Sequence, residues 1–280
     1  MIVLPSGGRL SAETLGQRTE RPLLLLRPLG GSMALWGPLA HILAQRRQVI
    51  AFDPRGVGLS SDPPWLQSTR SMAVDAVAVL NAFEVATADV FGLSLGGMVA
   101  SWLAIDAPAR VGRLVLGSTL PRAASFSHHL YAHLPSLVRM SLRQGVEAEV
   151  GLVQEILSPA FIAEHPARTQ AILAEVRRCP TGKKNLLMLG LAALRHQAEP
   201  LLSTVTAPTL LLVGDRDPVA GRSSQAELLA HLPKAQLRRI RDCGHDLSLE
   251  QPGPTAAAID EFLTWRDLGQ APETGLPAPS

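Results

Sequence analysis

Cysteine, lysine and tyrosine are scarce in this chain of 280 residues, which has two Cys, one Tyr and only three Lys, at Lys183, Lys184 and Lys234. Cys179 and Cys243 stand far apart, with neither a CxxC motif nor paired ligand spacing. A disulfide scaffold and a zinc knuckle are thereby excluded, and a reduced compartment fits. Charge of one sign is also lacking. Lys and Arg number 26 against 24 Asp and Glu, a formal charge of +2, and the longest basic cluster is Arg238, Arg239 and Arg241. No stripe for nucleic acid and no polybasic membrane patch follows from that balance. Long apolar runs are missing too. No segment approaches the ~18 to 20 apolar residues that cross a bilayer, and Met1-Ile2-Val3-Leu4-Pro5 lacks a basic leader. A cytoplasmic protein is expected.

What is present is ample apolar material, 46% of the residues against 18% charged, enough for a sizeable core. Short apolar runs at 23–26, 49–52, 89–91 and 114–117 read as buried strands, and 38–45, 71–83 and 95–104 as the helices between them. Strand and helix alternate as parallel strands require, because a parallel pair needs a crossover. The same order returns with a strand at 209–213, a helix at 224–232, a strand at 236–240 and a closing helix at 254–265. The fold class is therefore α/β, a mostly parallel, doubly wound sheet. Residues 1–119 and 204–268 form its core. Between them, 120–203 read as an inserted helical cap, with amphipathic stretches at 146–157, 167–178 and 184–197 and breakers at Pro135, Pro159, Pro166, Pro180 and Pro200. Residues 269–280 read as a disordered tail.

Gly92-Leu93-Ser94-Leu95-Gly96 matches GxSxG. With 23 Gly and 20 Ser, such a match arises by chance in about one chain in eight. Its position carries the weight, because it follows the strand at 89–91 and opens the helix at 95–104. A hydroxyl is a poor nucleophile at neutral pH. Ser94 needs an imidazole to take its proton, and the imidazole needs a carboxylate to hold its tautomer. The order Ser, acid, His is met by Asp217, after the strand at 209–213, and His245, after the strand at 236–240. Asp215 competes with Asp217 as the acid. Both loops lie at C-terminal strand ends, where open α/β sheets place their sites.

These motifs resemble the α/β-hydrolase superfamily over nearly the whole chain. Phe52-Asp53-Pro54-Arg55-Gly56-Val57-Gly58-Leu59-Ser60 is similar to the loop after that family's fourth strand, Gly214-Asp215-Arg216-Asp217 to its acid loop and Cys243-Gly244-His245 to its histidine loop. Leu29-Gly30-Gly31-Ser32-Met33-Ala34-Leu35-Trp36 and the segment from Leu157 to Pro166 look most like the 3-oxoadipate enol-lactonase branch. The resemblance implies the α/β-hydrolase fold, Asp217 as the acid with Asp215 binding its own loop backbone, and an oxyanion hole made by the N–H groups of Leu29 and Leu95. Most members carry His-Gly after the third strand, where this chain has Arg27-Pro28, a departure that enol-lactonase-like members share. Pro28 has no N–H, but Leu29 keeps one. Arg27 either fixes the loop or is a candidate substrate contact, aimed at a carboxylate.

The expected activity is a serine hydrolase cleaving a carboxylic ester, lactone or thioester through an acyl-enzyme. Acyl transfer or cyclisation on the same residues, and a non-catalytic ligand-binding protein on the same scaffold, are the rivals. The expected partner is a small-molecule acyl substrate, with no nucleic acid and no membrane. No cofactor or metal is expected, since Leu130 stands where a His-Glu-x-x-His helix would place its Glu between His129 and His133, next to His128. His41, His165, His196 and His231 read as ordinary histidines at helix faces or ends, and Asp53 and Arg55 as loop braces.

Overall fold

An unbroken apolar run is what a strand covered on both faces requires, and all four side chains of Leu23–Leu26 are buried. Each contributes on the order of 2 kcal/mol relative to exposure. The computed structural model describes residues 1–5, 7–63, 66–126 and 146–264. Its strands are β1 Ile2–Val3, β2 Arg9–Leu10, β3 Ala12–Leu15, β4 Leu23–Leu26, β5 Val49–Phe52, β6 Ala88–Leu93, β7 Val111–Gly117, β8 Thr209–Gly214 and β9 Ala235–Ile240. β1 and β2 form a separate antiparallel ribbon. The rest make one sheet in the order β3-β5-β4-β6-β7-β8-β9. Only β3 runs antiparallel to its neighbour in that sheet.

The helices are α1 Gly37–Ala44, α2 Thr69–Ala82, α3 Leu95–Asp106, α4 Val146–Ile156, α5 Pro159–Glu164, α6 Pro166–Arg178, α7 Lys183–Leu194, α8 Arg222–His231, α9 Leu247–Glu250 and α10 Pro252–Thr264. Alternation along the strands divides the core into two layers. Leu24, Leu26, Ile50, Val90, Leu114, Leu116 and Leu211 pack on one face with α2, α3 and α8. Leu23, Leu25, Val49, Phe91, Val115 and Leu210 pack on the other with α1 and α10. A third cluster joins Val150, Val153, Leu157, Phe161, Leu173 and Val176 from α4 to α6 with Leu35 and Leu249. The helices at 146–178 thus have an apolar centre of their own that also takes in Leu35 and Leu249, while Leu189 and Ala193 of α7 pack into the core of the sheet. Among the described residues no helix is long and apolar enough to cross a membrane.

The expected strands and helices appear within a few residues of the boundaries read from the sequence. Expectations for 127–145, including Pro135, His128, His129 and His133, and for the tail at 269–280 lie outside the described residues. The sequence reading missed β1 to β3 and the short helices α5 and α9. Two-residue strands carry no periodicity, and β3 is a partly exposed edge strand without an apolar run. α5 starts on Pro159 at its first position, with Ser158 Oγ accepting the Phe161 N–H at 3.2 Å.

Candidate active site

The chain leaves β4 to build β5 on one side and returns to build β6 on the other, so the crevice opens at the C-terminal ends of β4 and β6. Ser94 is the turn residue between β6 and α3. It sits at φ 53° and ψ −115°, a left-handed conformation that costs a non-glycine residue about 1–3 kcal/mol. What over-determines it is close packing. A β-carbon on Gly92 would strike the Gly96 carbonyl, and one on Gly96 would strike the carbonyl of Leu26. The Ser94 N–H donates to Gly117 O at 2.8 Å, and the Ser94 carbonyl accepts from the N–H groups of Gly97 and Met98. Thr119 Oγ1 adds a fourth tie, donating to the same carbonyl at 2.7 Å.

His245 and Asp217 arrive from the loops after β9 and β8. Ser94 Oγ lies 2.8 Å from His245 Nε2, and His245 Nδ1 lies 3.0 and 3.1 Å from the two Asp217 oxygens. A carboxylate only accepts, so Nδ1 carries the hydrogen and Nε2 presents the lone pair to the Ser94 hydroxyl. Both partner side chains are almost wholly buried, at 4% and 1% exposure. Burial opposes charge on His245, but the Asp217 charge and hydrogen bond outweigh it and the imidazole pKa is raised. Burial likewise pushes Asp217 up, but His245 and the N–H groups of Ala220 and Val219 hold its pKa down. Such a chain can draw the hydroxyl proton onto the imidazole and hold the resulting charge. The neighbouring Cys243 is no rival nucleophile, since burial first, and then the Glu250, Asp246, Asp217 and Asp215 carboxylates, raise its pKa and keep it a thiol.

Asp215 departs from its expected part. It is exposed, and Oδ1 accepts the Cys243 N–H at 3.2 Å, a bond to the histidine loop and not to its own. The own-loop bonds belong to Asp217, whose Oδ1 accepts from Val219 at 2.7 Å and Ala220 at 3.0 Å. Leu95 opens α3, whose first N–H groups have no partner within the helix, and Leu29 follows β4 in the adjoining loop. Among the described residues the Leu29 N–H meets no protein acceptor.

Arg27 is 5% exposed. Its guanidinium lies 4.9 Å over the Trp36 ring, with Nη1 donating to Ser248 Oγ at 3.4 Å and Nη2 lying 3.7 Å from Asp246 Oδ2. It therefore braces the base of the histidine loop, and the alternative of a substrate-carboxylate contact has no geometric support. Asp53 and Arg55 brace as expected: Asp53 Oδ1 accepts the Met33 N–H at 2.6 Å, and Arg55 holds Asp75 through two bonds of 2.9 and 3.0 Å. His196 is a core residue, with Nδ1 2.9 Å from Thr69 Oγ1 and burial lowering its pKa to about 4. Among the described residues no three His, Cys, Asp or Glu side chains group to hold a metal ion.

Sequence reasoning missed Glu250. It is 1% exposed and accepts from Ser158 N–H at 3.0 Å, Ser158 Oγ at 2.6 Å and Gly244 N–H at 2.9 Å. The His245 N–H donates to Ile156 O at 3.3 Å. The histidine loop is thus stitched to the α4–α5 junction. No signal in the sequence points to it, since Glu250 merely closes the short segment Leu247-Ser248-Leu249-Glu250.

Comparison with known proteins agrees with this geometry. Residues 21–252 match the family model described as alpha/beta hydrolase fold. The 3-oxoadipate enol-lactonase 2 of Acinetobacter baylyi is 24% identical over 91% of this chain and 92% of its own. The "Putative carbamate hydrolase RutD" of Variovorax paradoxus is 30% identical over 91% of this chain and 96% of its own. Among solved structures, Est816, described as an N-acyl homoserine lactone degrading enzyme, superposes with a TM-score of 0.78 at 27% identity, covering 94% of this chain and 100% of that one. With a serine on a strained elbow, a paired imidazole and carboxylate, and a family match over most of its length, the chain belongs to the α/β-hydrolase fold family and is a hydrolase.

Proposed function

We propose that the protein cleaves a carboxylic ester, lactone or thioester through an acyl-enzyme on Ser94. The observation that carries the proposal is the unbroken line from Ser94 Oγ through His245 to Asp217. Ser94 Oγ attacks the carbonyl carbon as its proton passes to His245 Nε2, and Asp217 stabilises the imidazolium. The N–H groups of Leu29 and Leu95 receive the developing oxyanion. The imidazolium then returns the proton to the leaving oxygen or sulfur as that bond breaks. Water, deprotonated by His245, attacks the acyl carbon and releases the acid and free Ser94. Named lactone-cleaving relatives support the substrate class, and the relative named for carbamate adds that linkage to the range. We read α4 to α7 as a cap that shapes the acyl pocket, and the protein as cytoplasmic with a small-molecule substrate.

The test joins a fluorophosphonate probe to a panel of activated esters, lactones, thioesters and carbamates. One phosphonyl group per chain on the Ser94 peptide, with parallel loss of turnover, is the expected result. Turnover that survives complete labelling excludes the covalent route. Labelling without turnover of any panel member favours a binding scaffold, and products formed on an added alcohol in preference to acid favour acyl transfer.

A further inference from the structure

On α4 the buried apolar side chains are Ala148, Val150 and Val153, and one acidic side chain, Glu149, is buried among them. Glu149 is 2% exposed. Its Oε1 accepts from the Gly31 N–H at 2.6 Å and from Thr181 Oγ1 at 2.5 Å, and its Oε2 accepts the Thr181 N–H at 2.6 Å. Gly31 closes the turn Leu29-Gly30-Gly31, where both glycines stand at positive φ, 79° and 74°. Glu149 Oε1 lies 3.4 Å from where a β-carbon on Gly30 would stand, so the carboxylate rests against the turn as well as bonding to it. A buried carboxylate is retained only where donors converge on it, and here the donors come from two segments far apart in sequence.

We propose that Glu149 is a positioning residue for the oxyanion turn. Through the Gly31 N–H it fixes the direction of the Leu29 N–H, and Thr181, just ahead of α7, fixes Glu149. This rests on the oxyanion role given to Leu29 above. The helices beyond the sheet then do more than cover the site, because one of them sets the geometry of a donor within it. Left-handed glycines are free to move, so a turn made of them needs such a clamp. A donor displaced by a fraction of an ångström still binds substrate but stabilises the tetrahedral intermediate less well.

The experiment compares wild type, Glu149→Gln and Thr181→Val on an activated ester, with active sites counted by exhaustive fluorophosphonate labelling. A trifluoromethyl ketone serves as the tetrahedral analogue. Glu149→Gln is expected to lower kcat per labelled site by about 10- to 100-fold. KM should stay within about twofold, and the ketone should bind more weakly by a factor similar to the kcat loss. Thr181→Val, which keeps the Gly31 bond and the Thr181 N–H, gives the same split at smaller size, and Thr181→Ser restores it. That variant decides the matter if Glu149→Gln does not fold. Unchanged kcat per site and unchanged ketone affinity, with only stability or the labelled fraction reduced, overturn the proposal. A wild type that neither labels nor binds the ketone instead removes the serine-hydrolase reading, and the proposal with it.

Discussion

Ser94 Oγ and His245 Nε2 lie 2.8 Å apart across 151 residues of sequence. Each is held by its own surroundings: the serine by the elbow's bonds to Gly97 and Met98 and the packing of α3 against β4, and the histidine by bonds to Asp217 and Ile156. Chemistry and stability can therefore be separated by substitution.

Ser94→Ala removes the proposed nucleophile and is expected to lower kcat by about 10⁶-fold with the melting temperature nearly unchanged. Ser94→Gly is equally inactive but relieves the positive φ, and should be more stable than Ser94→Ala by about 1 kcal/mol. Ester hydrolysis and urea unfolding on both variants check this. Equal stability would mean that the elbow stores no strain.

The two acid-loop carboxylates separate cleanly. Asp217→Asn should cut kcat by about 10³- to 10⁴-fold, because the amide favours the wrong imidazole tautomer. Asp215→Asn keeps an oxygen that can accept the Cys243 N–H, leaves the bonds between Ser94, His245 and Asp217 untouched and should leave kcat within about twofold. Steady-state kinetics on the pair are sufficient, and the reverse pattern would reassign the acid.

The proposed mechanism requires neutral His245, whose pKa is raised. As pH falls, the imidazole is protonated above the ordinary 6.5, so the acid limb of kcat/KM should have its midpoint above that value. In Asp217→Asn the supporting charge is gone and the limb moves to lower pH. A pH–rate profile of each protein measures both shifts.

His196 links stability to pH. Its folded-state pKa of about 4 lies below the ordinary 6.5, so the unfolded chain takes up the proton first. Its stabilising effect is whole above pH 6.5 and is lost progressively as pH falls toward 4. Between pH 7 and pH 5 this amounts to about 2 kcal/mol. Urea unfolding at the two pH values should show a loss that shrinks in His196→Gln.

The sheet was legible because its strands are covered on both faces, which writes them as apolar runs such as Leu23–Leu26 and Val49–Phe52. Ser94, Asp217 and His245 were legible because a strand–turn–helix context narrows a common motif. The supporting carboxylates were not. Glu149 and Glu250 are ordinary residues on helices until the fold brings Gly31, Thr181, Ser158 and Gly244 to them, and no spacing in the chain encodes such meetings. Arg27 left two readings open for a related reason: its neighbours Asp246 and Ser248 lie more than two hundred residues away.

β9 ends the sheet, and among the described residues no strand lies beyond it. Its outer backbone edge offers a template on which a second chain could add a strand, the usual start of aggregation in open sheets. Successive side chains on a strand point to opposite faces, so Arg238 and Arg239 set a guanidinium on each face of that edge, with Arg241 just beyond and Arg238 held by Glu261 at 2.6 Å. An incoming strand would have to dehydrate charge on both sides at once. The longest basic cluster in the chain thus stands along the open edge of the sheet, where charge opposes templated self-association.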